Sequence, residues 1–179
     1  CALPIFGFGC FYSRWTPILE EFTTWTKSNW PNICIVYGSQ ARPTDLALES
    51  KNFDYYIFGY GEYALLHLMK VIAGNESKSS LKLDANWMVN KRKKVINAME
   101  SFPAYPMKSL MIKYENRDFL LPEEWISIEL ARGCKFKCAY CNYPVLGVKG
   151  DYSRDAEDFY VQMKDTYDRY GVKIGRAHV

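Results

Sequence analysis

Strand-like and helical patterns alternate over the first 73 residues, and this alternation constrains the fold more than any other feature of the sequence. Three apolar runs, over residues 2–11, 33–37 and 55–58, predict strands, and each ends close to a glycine. Strands that alternate with helices usually pair in parallel, and ligands bind at their carboxyl ends. We therefore expect an α/β fold in which Gly9, Gly38 and Gly61 lie at one edge of a parallel sheet.

A segment predicted to be helical follows each of these strands. Apolar residues recur at helical spacing from Trp15 to Trp25 and again from Tyr63 to Ile72. Helices are predicted over residues 15–28, 43–50 and 63–72. In the last of these helices we expect four apolar side chains to face inward: Leu65, Leu66, Leu68 and Met69.

The pattern is lost between residues 75 and 122, which we interpret as a linker with one short helix over 89–99. Four consecutive basic residues, 91–94, could contact nucleic acid, but a solvated helix face is the commoner explanation. The net charge of +3, from 23 basic and 20 acidic residues, does not indicate a nucleic-acid partner either. We assign no function to this segment.

Regular patterns return at residues 125–131, where apolar and polar residues alternate as in a strand. Ile126, Ile128 and Leu130 are expected to pack on helices, which turns Ser127 and Glu129 toward a barrel interior. A helix is predicted over residues 155–170, with an acidic first turn that suits the helix dipole. Its apolar stripe is interpreted as core packing and comprises Phe159, Met163, Tyr167 and Tyr170.

Three of the six cysteines lie within eight residues, in the loop after this strand. Cys134, Cys138 and Cys141 have the spacing C-x-x-x-C-x-x-C, which brings three soft thiolates within reach of one metal centre. Structural zinc sites use four ligands, and no fourth ligand is near in the sequence. Three cysteines would leave one iron of a 4Fe-4S cluster open, which is a catalytic arrangement. Cys1, Cys10 and Cys34 are interpreted as small hydrophobic residues.

The cluster resembles the motif of radical S-adenosylmethionine (radical SAM) enzymes, with Arg132-Gly133 before the first cysteine and Tyr140 before the last. The resemblance implies that the three cysteines hold a 4Fe-4S cluster. The amino and carboxylate groups of S-adenosylmethionine would bind the fourth iron, and Tyr140 would lie near the adenine. Reductive cleavage would then give methionine and a 5′-deoxyadenosyl radical that abstracts hydrogen from the substrate. An electron donor such as flavodoxin or ferredoxin is implied, whereas the substrate stays unknown and no catalytic side chain is assigned.

The glycine-containing strand ends are similar to those of the cobalamin-binding domain that precedes the barrel in one radical SAM subgroup. The resemblance implies a cofactor site at five positions: Gly38, Ser39, Gly59, Gly61 and Glu62. Glycine also ends strands in any α/β domain, so that explanation stays open beside cobalamin. The subgroup's cobalt ligand lies in an Asp-x-His-x-x-Gly loop that has no match in this sequence. His67 is interpreted as a surface or packing residue of its helix.

Together these patterns predict a Rossmann-like, cobalamin-binding-type domain over residues 1–74, a linker over 75–122, and the start of a radical SAM partial TIM barrel over 123–173. The alternative is a non-enzymatic cysteine–metal module, either an electron-transfer protein or a zinc-stabilised nucleic-acid binder.

The sequence has no leader-like segment, and the apolar run over residues 63–73 is too short to cross a membrane. We therefore expect a cytoplasmic location and no membrane partner. The chain begins at Cys1, so we expect an internal piece of a longer protein. The last six residues, 174–179, resemble a translated sequencing adapter and are left out of the fold prediction.

Overall fold

The computed structural model divides the chain into two compact units, residues 1–104 and 105–179. It describes residues 5–10, 17–39, 50–84, 94–103, 106–107, 113–115, 125–126, 128–132, 136, 138–139, 152–171 and 173–174. All of the helix predicted over 43–50 except Ser50 lies outside these residues.

Four parallel strands form the sheet of the first unit, in the order β1-β2-β3-β4. They are β1 (Ile5–Cys10), β2 (Cys34–Ser39), β3 (Tyr55–Phe58) and β4 (Lys94–Asn97). The first three confirm the predicted strands and their parallel pairing. Gly9 lies opposite Gly38 in the register, and Ser39 lies opposite Phe58.

Both faces of this sheet are covered, because successive strand residues point to opposite sides and nearly all of those in β2 and β3 are buried. One face has a mainly aromatic core: Ile33, Ile35, Tyr37, Phe53, Tyr56, Phe58 and Val95. The other face is largely aliphatic: Cys34, Val36, Tyr55, Ile57, Ala64, Leu68, Ile96 and Ala98. Strands buried on both sides explain why the sequence runs here are continuously apolar rather than alternating.

Helix α1 (Pro17–Asn29) confirms the first predicted helix, but it buries a polar face. Thr23 and Thr26 are 0% and 2% exposed, whereas Trp25 is 53% exposed. Each hydroxyl donates a hydrogen bond to a backbone carbonyl of its own helix, and Thr23 Oγ1 donates to Leu19 O at 2.8 Å. Both hydroxyls therefore keep a hydrogen-bond partner in the interior. Threonine can therefore form the packing surface of this helix.

The end of α1 is joined to the sheet by Lys27 and Asp54. Lys27 Nζ donates to Asp54 Oδ2 and to Ile33 O, both at 2.7 Å. The same carboxylate oxygen accepts from Ile35 N at 2.8 Å. Because the Lys27–Asp54 pair is partly exposed, it adds little to the free energy of unfolding. Its charge-assisted hydrogen bonds mainly fix the position of the helix relative to the strand.

Helix α2 (Glu62–Ile72) follows β3 as predicted, but the predicted inward face is wrong for three of its four residues. Leu68 is fully buried, whereas Leu65, Leu66 and Met69 are 38%, 49% and 46% exposed. The buried face instead consists of Ala64, Leu68 and Val71. The small side chain of Ala64 lets the helix approach the sheet closely, while Leu65 and Leu66 are turned outward.

The sheet continues into the segment predicted as a linker, because β4 pairs in parallel with β3. The predicted helix over 89–99 is therefore wrong for residues 94–97, which form this strand, while a short helix α3 (Ala98–Ser101) begins directly after it. Val95 and Ile96 are 2% and 1% exposed. Burial on both faces of the sheet outweighs the helical propensity of the flanking residues.

The described residues of the second unit form four two-residue strands and one long helix, α4 (Ala156–Tyr170). Strand β5 (Trp125–Ile126) pairs in parallel with β8 (Lys173–Ile174), and β6 (Ala131–Arg132) pairs antiparallel with β7 (Tyr152–Ser153). The single strand predicted over 125–131 is thus split in two. Ile174, which was left out of the fold prediction, pairs with Ile126.

Candidate functional site

A strand pair flanks the part of the chain that contains the three cysteines. Ala131 lies opposite Ser153 and Arg132 opposite Tyr152, so β6 and β7 pair directly before and after this segment. Arg154 N extends this pairing by donating to Leu130 O at 2.9 Å.

Cys138 is the described member of the cysteine cluster, and its thiol is free and exposed. Phe136, two residues before Cys138, is 62% exposed. An accessible, unbridged thiol can be deprotonated and can ligate a metal. Cys134, Tyr140 and Cys141 lie outside the described residues, so convergence of the three cysteines stays a prediction.

The residues that precede the loop depart from the predicted alternation. Ile126 is buried, but Leu130 is 42% exposed, which contradicts its predicted packing role. Glu129 forms a two-pronged ion pair, in which Arg132 Nε and Nη2 donate to its two carboxylate oxygens at 2.8 Å each. Residues 128–130 are not in a strand, so alternate side chains no longer share a face. Ser127 lies outside the described residues.

Helix α4 confirms the helix predicted after the loop. Asp155 caps it, with Oδ1 accepting from Glu157 N at 2.9 Å, and Gly171 ends it with a φ of 61°. The predicted aromatic stripe is wrong for Tyr167, which is 63% exposed. Phe159, Met163 and Tyr170 are half-buried.

Polar side chains form the buried face of α4 instead. Gln162 and Thr166 are 3% and 2% exposed, and Thr166 Oγ1 donates to Gln162 O at 2.7 Å. Gln162 Oε1 accepts from Arg154, which is itself 6% exposed. Sequence reasoning missed this group, because hydropathy patterns place glutamine and arginine on the surface. The position of Arg154 directly before the N-cap of α4 does not indicate in the sequence that its side chain is buried.

The predicted cofactor positions in the first unit do lie toward the carboxyl edge of the sheet. Gly38 and Ser39 end β2, and Ser39 O accepts from Gly59 N at 2.9 Å directly after β3. Gly61 is the N-cap of α2, and Glu62 is an acidic residue in its first turn, where the helix dipole favours it. The parallel register therefore brings these five residues to one edge, as predicted.

The fold itself requires glycine at position 59. Its φ of +93° is unfavourable for other residues, and a Cβ there would lie 2.5 Å from Met99 Cγ. Gly61 is close-packed too, since a Cβ would lie 3.2 Å from Ile57 Cγ2. Local packing therefore explains both glycines without a bound cofactor.

The order of the strands also indicates whether this edge has a crevice that could bind a ligand. Open parallel sheets bind ligands where the order of strands reverses. Among the described strands of the first unit, each strand neighbours the next one in the chain. This part of the sheet thus contains no reversal point that would open a crevice.

His67 is held by structural contacts. Its Nδ1 lies 2.7 Å from Glu76 Oε2, and its Nε2 lies 3.1 Å from Ser80 O. Its ring is 5.8 Å from that of Phe102. Both nitrogens are engaged, which agrees with the packing role predicted for this residue and leaves no nitrogen for cobalt.

We expect Gly59→Ala to lower the free energy of unfolding by roughly 1–2 kcal/mol through its backbone conformation alone. The overlap with Met99 adds to this loss, so Met99→Ala in the same background should recover part of it. Gly7→Ala is the control, because a Cβ on Gly7 meets nothing within 4 Å. Urea denaturation followed by circular dichroism measures all three, and equal losses for Gly59→Ala and Gly7→Ala would contradict the packing explanation.

Within the described residues, no helix has the length and apolar character needed to cross a membrane. No protein-family model, no curated protein and no solved structure matches the chain.

Proposed function

We propose that this chain is part of a radical SAM enzyme that uses a 4Fe-4S cluster to cleave S-adenosylmethionine reductively. The observation that carries the proposal is the C-x-x-x-C-x-x-C spacing in the part of the sequence between the paired strands β6 and β7, with Cys138 exposed and free. A cluster is assembled from outside the chain, so its ligands must be accessible thiols rather than disulfides or core residues. Cys138 meets that condition.

In this proposal Cys134, Cys138 and Cys141 each hold one iron, and the fourth iron is left for S-adenosylmethionine. When bound, the cluster supplies the electron that cleaves the sulfonium to methionine and a 5′-deoxyadenosyl radical. The chain's own residues would hold the cluster and orient S-adenosylmethionine, with Tyr140 near the adenine. A flavodoxin or ferredoxin is the proposed electron donor.

One feature of the second unit supports a barrel. β5 and β8 pair in parallel, and α4 lies between them in the chain, as expected for a strand–helix–strand repeat. The paired strands β6 and β7, which flank the cysteines in the sequence, lie between β5 and α4 in the chain. We therefore propose that residues 123–173 are the start of a partial TIM barrel.

For the first unit we propose a Rossmann-like domain of the cobalamin-binding type. The parallel sheet and the clustering of Gly38, Ser39 and Glu62 near one edge support it. The local packing of Gly59 and the uninterrupted strand order count against a corrin at this edge. Anaerobic incubation with hydroxocobalamin followed by gel filtration tests the cofactor, since co-elution of the corrin spectrum is required if cobalamin binds.

Anaerobic reconstitution with iron and sulfide tests the proposed function. A 4Fe-4S electron paramagnetic resonance signal that changes on addition of S-adenosylmethionine is the expected result, because the cofactor would ligate the open iron. A signal that S-adenosylmethionine leaves unchanged would instead indicate an electron-transfer protein. A colourless protein that retains zinc would indicate a nucleic-acid-binding or other structural module, and either result would overturn the proposal.

A further inference from the structure

His67 joins helix α2 to the segment of chain that follows it. Its Nδ1 lies 2.7 Å from Glu76 Oε2, and its Nε2 lies 3.1 Å from Ser80 O. Leu81, the residue after Ser80, packs against the aliphatic core of the sheet. The contacts of His67 therefore hold the part of the chain that brings Leu81 to this core.

The hydrogen bonds around His67 indicate how many protons its ring carries. A carbonyl oxygen can only accept, so Nε2 must donate to Ser80 O. The Ser80 hydroxyl, 3.3 Å from Nε2, gives its one hydrogen to Ser77 O at 2.7 Å and therefore does not donate to the ring. Nδ1 faces the carboxylate of Glu76, whose other oxygen lies 3.6 Å from Lys70 Nζ, and a carboxylate between two positive groups accepts from Nδ1. Both ring nitrogens thus carry hydrogen, which makes the ring an imidazolium in this arrangement.

The ring is accessible enough to exchange protons with solvent, since the side chains of His67 and Glu76 are 19% and 33% exposed. Besides Glu76, the charged groups that the described residues place around the ring are Lys70, on the same helix, and Lys82. Lys82 Nζ lies 5.3 Å from the centroid of the Phe102 ring, which is itself 5.8 Å from the centroid of the His67 ring. Histidine is the side chain that changes charge near neutral pH, so a ring that water reaches can lose its proton as the pH rises.

We propose that His67 is a pH-sensitive switch for the segment of residues 76–80. With both protons, the ring binds the Glu76 carboxylate and Ser80 O at the same time. A neutral imidazole has one N–H group, which cannot serve two acceptors. Loss of the proton therefore breaks one of the two contacts, or turns the Ser80 hydroxyl from Ser77 O to Nε2. In each case the segment loses a hydrogen bond that holds it in place. The inference does not depend on the proposed radical SAM chemistry.

The test is a nuclear magnetic resonance titration of the full chain between about pH 5 and 8, the range in which histidine changes charge. The ring nitrogens of His67 and the backbone amides of residues 77–81 are followed together. We expect the ring and these amides to shift with one common midpoint, because loss of the ring proton rearranges the segment. The amides of α1, which packs on the other face of the sheet, serve as an internal control that does not follow this midpoint.

His67→Gln should abolish the common shift of the segment amides. His178→Gln is the matched control, because the sequence contains two histidines, and it should leave that shift unchanged. Glu76→Gln removes the negative partner of the imidazolium, so the common midpoint should fall by about half a pH unit. If His67→Gln does not fold, Glu76→Gln and the unmodified chain still decide the matter. Segment amides that do not follow the ring, that still titrate in His67→Gln, or that keep their midpoint in Glu76→Gln would overturn the proposed switch.

Discussion

Replacing Cys138 with alanine is expected to abolish assembly of the 4Fe-4S cluster. A cluster held by three thiolates has no spare protein ligand, so two cysteines leave two irons without anchors. Cys138 is exposed and outside the described secondary structure, so the substitution should leave the fold unchanged. Iron and acid-labile sulfide per chain, together with the visible spectrum after anaerobic reconstitution, measure the loss.

Cys34→Ala is the matched control for this experiment. Cys34 also lies outside any disulfide, but it is 9% exposed and packs in the aliphatic core of the sheet. Its removal should cost some stability and leave the iron content of folded protein unchanged. Equal loss of iron from both variants, or full retention of iron by Cys138→Ala, would show that the cluster ligands are misassigned.

Leu68→Ala is expected to lower the free energy of unfolding by about 2–5 kcal/mol. Leu68 is 0% exposed and packs in the same core as Ile57 and Ile96. Removing three carbons there leaves a cavity between α2 and the sheet, which neighbouring strands cannot fill because they are fixed by their pairing. Urea denaturation followed by far-ultraviolet circular dichroism gives the loss.

Leu66→Ala is the control on the same helix and with the same side chain. Leu66 is 49% exposed, so the change should stay within about 0.5 kcal/mol. The pair also distinguishes the face predicted from the sequence, which included both leucines, from the face in the structure. Comparable losses for the two variants would favour the sequence-based face.

Strands β1, β2 and β3 were predictable because their apolar runs are short, rich in β-branched and aromatic residues, and closed by glycine. Helices α2 and α4 were predictable from their periodicity, and α4 also from its capping residue Asp155. Strand β4 was not, because Val95 and Ile96 follow four basic residues and gain their preference only by pairing with β3. A run of four residues has no periodicity that distinguishes a strand from a helix.

The cysteine spacing was likewise readable from the chain, since metal ligation requires a particular residue type at particular intervals. The roles of the glycines could not be predicted from the sequence. Met99, which leaves no room for a Cβ at position 59, is 40 positions away in the chain. The predicted strand ends do lie at one edge of the sheet, and packing explains two of the glycines there, whereas cofactor binding at this edge stays a prediction.

Local patterns alone were thus sufficient for β1, β2, β3, α1 and α2 and for the cysteine motif, because each depends on residues close together in the chain. The alternation of strands with helices was sufficient for the parallel pairing. The tertiary structure alone decided which helix faces are buried and that Arg154 is enclosed. Burial depends on what packs against a surface from elsewhere in the chain. Helix α1 buries threonines and α4 buries Gln162 because hydrogen bonds satisfy their polar atoms there, and no measure of hydropathy contains that information.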